Sequence, residues 1–132
     1  METKYNEATL NRPKGDRIID APFVFIDIDK YARQLITEDA WAKSDRNSIT
    51  VHKTENFTQV LCCLRNGAMI KDNLVNGFIS FQVIEGKVNL SILTGKAEIS
   101  KQQIITIHPN IMHSVEAMDN TLLLITTYMG ER

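Results

Sequence analysis

GAMIKDNLVNGFISFQVIEG, Gly67 to Gly86, decides how this chain is read. It opens and closes on glycine, carries a further turn signal at Gly77, and contains FISFQVI, the clearest strand in the sequence. Apolar side chains there recur at every second position, so one face is buried and the other is not. Gly86 can supply positive φ, which predicts a tight hairpin at Glu85–Gly86.

The period of two extends outward in both directions. Strands are expected over 48–54, 57–65, 78–84, 87–93, 97–100, 103–107, 113–117 and 121–128. Turn signals at Glu55–Asn56, Glu85–Gly86, Thr94–Gly95, Pro109–Asn110 and Asp119–Asn120 separate them. No helical segments recur between strands, which excludes a parallel α/β fold. The expected class is all-β, a sandwich or barrel. LLLIT, Leu122 to Thr126, is continuously apolar, so it should be covered on both sides, once by the core and once by the N-terminal segment or a second subunit.

Upstream the pattern changes. Residues 1–17, with Pro13 and Gly15, read as a mobile or strand-exchanging arm. Ile18 to Ile28 is apolar but broken by Pro22, which suits an edge strand or its start. Asp29 is expected to cap a short helix from Lys30 to about Ala42, with Tyr31, Leu35 and Ile36 as its apolar stripe. Trp41, near its end, reads as core packing. The division is therefore 1–46 for arm, edge strand and short helix, and 47–132 for the β domain.

Composition limits the function. The chain has 132 residues, a formal net charge of -1 and 23% charged residues. That is one domain with no basic surface for nucleic acid. Adjacent Cys62 and Cys63 should point to opposite faces of a strand and stay reduced, which fits a cytoplasmic protein. No charged leader precedes an apolar segment, and no apolar run approaches the roughly 18 residues of a membrane span, so neither secretion nor a membrane partner is expected.

GFISFQVIEGKVNL and HPNIMHSVEAMDNTLLLIT together resemble the cupin superfamily of small conserved β-barrels, over about Ile49 to Met129. The resemblance implies a double-stranded β-helix, a jelly-roll-like barrel, with a short N-terminal helix. The first family motif has glycine, five residues, His-any-His, a glutamate and a closing glycine; Gly67, Asn73, Val75, Ile79 and Gly86 hold those places. The second has glycine, proline, glycine, histidine and asparagine, and Gln102, His108, Asn110, His113 and Ala117 hold them. Spacing survives while the metal-ligand set does not. Valine and isoleucine donate no electron pair, and one histidine cannot supply three or four ligands. No metal or other cofactor is expected.

The binding expectation is a pocket of His113, Asn73, Val75, Ile79 and Phe81, in which a small organic ligand is oriented by the His113–Asn73 pair. No catalytic residue is assigned. The plainer reading of His113 is a core histidine whose ring nitrogens are satisfied internally. An isomerase, epimerase or lyase using His113 as acid and base remains open, and so does whether the chain is an enzyme at all. A metal-dependent oxygenase would require His108 or His52 to converge with His113. His108 reads as a turn or rim residue and His52 as a surface or interface one. A homodimer is expected from the need to cover sheet edges.

Overall fold

A computed structural model describes residues 3–9, 12 and 15–130; Pro13 and part of the expected arm lie outside them. The elements in order are β1 (Lys4–Asn6), β2 (Arg17–Asp20), α1 (Ile28–Thr37), α2 (Asp39–Lys43), β3 (Arg46–Lys53), β4 (Phe57–Leu64), β5 (Met69–Asn73), β6 (Phe78–Glu85), β7 (Lys87–Ile92), β8 (Gly95–Ser100), β9 (Ile104–Ile107), β10 (His113–Ala117) and β11 (Thr121–Tyr128).

Nine of these strands make two antiparallel sheets. One has the order β5-β10-β7-β8, the other β3-β4-β11-β6-β9. Alternation places Ile79, Phe81 and Val83 of β6 inward, where they meet Val88 and Leu90 of β7, Val115 of β10 and Leu123 of β11 in one buried cluster. Neither sheet closes on itself, so the core lies between two facing sheets with separate edges.

The eight expected strands are all present within a residue or two. β5 was not foreseen. Lys71 and Asp72 interrupt any apolar alternation, and β5 is an edge strand with a register shift against β10. The Glu85–Gly86 expectation needs correction, because β6 and β7 belong to different sheets and do not pair. Gly86 turns the chain from one sheet to the other. Its φ is +94°, and a Cβ there would sit 2.5 Å from Thr121 Oγ1 and 2.6 Å from the Asn120 carbonyl. The positive φ was rightly anticipated; the hairpin was not. The true two-residue hairpins are β3–β4 at Glu55–Asn56 and β7–β8 at Leu93–Thr94.

The N-terminal segment covers the outer face of the five-stranded sheet. Asp27, not Asp29, caps α1, accepting from Lys30 N at 3.1 Å. The inward stripe is Ile28, Tyr31, Ala32 and Leu35, at the i, i+3, i+4, i+7 spacing of one helix face, and Ile36 is exposed. The helix stops at Thr37 because Glu38 is extended before α2 begins. There the Glu38 carboxylate accepts from Arg12 Nε and Nη2, from Asn47 Nδ2 at 3.0 Å and from Gln34 Nε2 at 3.1 Å. Burial pushes Glu38 up, but these hydrogen bonds outweigh it and hold the carboxyl below the usual range.

Leu35 packs with Ile49, Val51, Leu61, Cys63 and Leu122 in a second cluster, against which Leu124 and Trp41 are half-buried. The second cover for LLLIT is thus supplied by this chain's own helix. Arg65 lies over the Trp41 ring at 4.1 Å and donates to its carbonyl at 2.8 Å. Within the arm, β1 pairs with β2 in a short antiparallel ribbon. Pro22 follows β2 in a bend, outside any strand.

Candidate functional site

β10 and β5 pair so that His113 lies opposite Asn73. His113 is 2% exposed. Its Nδ1 is 2.9 Å from the Ile111 carbonyl, and its Nε2 is 3.1 Å from Asn73 Nδ2. A carbonyl only accepts, so Nδ1 carries the proton and Nε2 offers its lone pair to the Asn73 amide. Both ring nitrogens are satisfied within the chain. The Phe81 ring meets the imidazole edge-on, centroids 5.5 Å apart at 71°.

The sequence-derived pocket residues are therefore neighbours. Ile79 and Phe81 belong to the inner cluster, and Val75 packs against it from the loop after β5. What they form is a packed wall with one internally paired polar couple. As a metal site the set does not fit: Val75 and Ile79 have no donor atoms, and the one imidazole lone pair is held by Asn73. Among the described residues, no three His, Cys, Asp or Glu side chains gather where they could hold an ion.

An opening lies beside this wall. β8 ends one sheet and β9 ends the other, and they do not pair. Between them is a cleft of about 320 Å³, lined chiefly by Leu90, Ile92, Ala97, Ile105, Ile107 and Ile111, with Lys96 and His108 also bordering it. None of the five sequence-derived residues lines it, but two of them lie beside residues that do. Ile92 is the register partner of His113, and Ile105 that of Phe81. Ile111, whose carbonyl fixes the imidazole, lines the cleft as well. His108 is exposed and packs on Phe78, ring centroids 4.9 Å apart, as expected of a rim histidine.

Sequence reasoning missed the cleft, although alternation already turned Leu90, Ile92, Ile105 and Ile107 inward. The missing information was which strands fail to pair. Cys62 and Cys63 do face opposite ways, one in each cluster. Burial, then the neighbouring Cys63 charge, pushes the Cys62 thiol up to about 12, and burial pushes Cys63 up to about 11. Neither is a nucleophile at neutral pH.

No family profile matches the chain, and no curated protein does. Solved structures do. The TT1209 protein of Thermus thermophilus superposes with a TM-score of 0.65 at 19% identity, over 80% of this chain and 97% of that one. A cupin superfamily protein from Desulfitobacterium hafniense DCB-2 gives 0.63 at 10% identity, over 64% and 78%. A cupin 2 conserved barrel domain protein from Leptotrichia buccalis gives 0.61 at 23% identity, over 64% of this chain and 40% of that one.

The motif spacing has a backbone counterpart here. The four places where the family pattern has its flanking glycines and the one before the histidine are Gly67, Gly86, Gln102 and Asn110. All four have positive φ, at 89°, 94°, 71° and 62°. At two of these places the residue in the left-handed region is glutamine or asparagine. The chain has the fold of the cupin superfamily.

Proposed function

We propose that this chain is a metal-free cupin-type protein that binds a small, mostly apolar organic molecule between β8 and β9. One observation carries the reading: the unpaired edges leave a cleft of about 320 Å³ walled by isoleucine and leucine. A concave apolar surface with a few polar groups at its border is the usual form of a small-molecule site. His113, Asn73, Val75, Ile79 and Phe81 form the packed wall beside it and support its shape, within a double-stranded β-helix arrangement. Lys96 and His108 supply the polar contacts at the border.

Binding is favoured over catalysis. An isomerase, epimerase or lyase working through His113 needs a free ring nitrogen, and Ile111 and Asn73 occupy both. The two unpaired cysteines suit a reducing, cytoplasmic setting. A homodimer belongs to the same reading; sedimentation velocity that returned only monomer would remove it.

The test uses 1-anilinonaphthalene-8-sulfonate as probe. The expected result is saturable fluorescence enhancement, with amide shifts at Ile92, Ile105 and Ile107. Ile105→Trp, which fills the cleft, should weaken it about tenfold or more. Undiminished binding by that variant, or none by the parent, would discard the cleft as a site.

A further inference from the structure

The outer face of the five-stranded sheet carries another cleft, of about 410 Å³, between the segment Ala21–Ile26 and the end of the β3–β4 hairpin. Asp20, the last residue of β2, lines it while only 5% exposed. Its Oδ1 has no hydrogen-bond partner among the described residues. Buried carboxylate oxygens almost always have one, so this atom calls for an explanation.

The surrounding groups do not provide it. His52 Nε2 is 3.9 Å away, beyond hydrogen-bond range. Arg17, on the same strand, is committed to the Thr50 and Gly15 carbonyls, each at 2.7 Å. Lys4, the register partner of Asp20, is exposed and makes no ion pair with it. The carboxylate therefore has no hydrogen-bonded cation among the described residues.

His52 and Gln59 beside it can each offer an acceptor as well as a donor. A bulge between Thr50 and His52 sets His52 opposite Gln59, and both line the cleft. Bulges commonly re-aim a side chain in this way. Gln59 Nε2 donates to Thr126 Oγ1 at 3.4 Å, which leaves the amide oxygen spare. The Phe57 ring stands edge-on to His52 at 5.3 Å, and Pro22 and Phe23 complete an apolar side.

A buried carboxylate oxygen with no hydrogen-bonded donor, beside an imidazole, an amide oxygen and aromatic carbon, leaves room for a donor that carries positive charge. The matching ligand brings both. We propose that this cleft binds a small organic ammonium ion, its N–H groups directed at Asp20, His52 and Gln59 and its apolar body against Phe57 and Pro22. The site is on the opposite face of the sheet from the β8–β9 cleft and does not depend on it.

The probe is phenethylammonium chloride, titrated into the full chain labelled with nitrogen-15 in histidine. Saturable shifts should appear at His52 and not at His108 or His113. Phenylacetate, with the same ring and the opposite charge, should leave His52 unmoved. Asp20→Asn should weaken phenethylammonium about tenfold or more, as loss of a charge-assisted contact does. Shifts centred on His108 or His113, equal affinity for phenylacetate, or undiminished binding by Asp20→Asn would each overturn the proposal. Were that variant unfolded, the ammonium-against-carboxylate comparison on the parent protein decides alone.

Discussion

His113 and Asp20 are both buried polar side chains, one between the two sheets and the other outside the five-stranded sheet, and the fold treats them in opposite ways. His113 has a partner for each ring nitrogen and an aromatic ring against its side. Asp20 has an orphaned oxygen and a histidine held just out of reach. A satisfied buried group contributes to stability, whereas an unsatisfied one costs stability and persists where something else retains it. His113 is thus part of the framework, while the unsatisfied carboxylate sits under the N-terminal segment.

Substitution of His113 should have the largest effect. His113→Ala removes a packed ring and strands the Asn73 amide, so denaturant unfolding should show a loss of about 3 kcal/mol. A loss below about 1 kcal/mol would mean that the His113–Asn73 pair is not structural, and the contrast would collapse.

Glu38 sharpens the comparison from the same layer as Asp20, being an acidic side chain that does have its donors. Glu38→Gln should cost about 2 kcal/mol at neutral pH through the weakened Arg12 contact. Since its folded pKa is depressed, this stabilisation is present above the ordinary glutamate value of about 4.3 and is lost as pH falls through the lower folded value. Thermal melts across that acid range should fall more steeply for the parent than for Glu38→Gln. Parallel curves would assign the acid sensitivity to other carboxylates.

The smallest effect has the opposite sign. Asp20→Asn removes a buried charge that has no partner and should leave stability unchanged or raise it by about 1 kcal/mol. Measured destabilisation of that size would show that Asp20 already has a partner in solution.

Legibility in the sequence followed the range of the interaction concerned. Alternation in Phe78–Glu85 and in His113–Ala117 reports burial directly, because successive side chains in a strand face opposite ways. The parity of Cys62 and Cys63 was readable for the same reason. β5 was not, since Met69–Asn73 is an edge strand with little buried surface to pattern it. The helix cap was misplaced by two residues because Asp27 and Asp29 are equivalent as local signals. The structure distinguishes them by the Asp27 carboxylate, which accepts from Lys30 N.

The sequence by itself determined the all-β class, the order of nearly all the strands, the inward residues and the lack of donor atoms on Val75 and Ile79, because each depends on local period or on side-chain chemistry. It also placed Asn73 and His113 in matching motif positions. Tertiary structure decided that they satisfy each other, that Glu85–Gly86 joins two sheets, and that β8 and β9 stay apart. It also decided that a bulge carries His52 to Asp20. These depend on strand pairing and on distances between residues far apart in the chain, which no local pattern encodes.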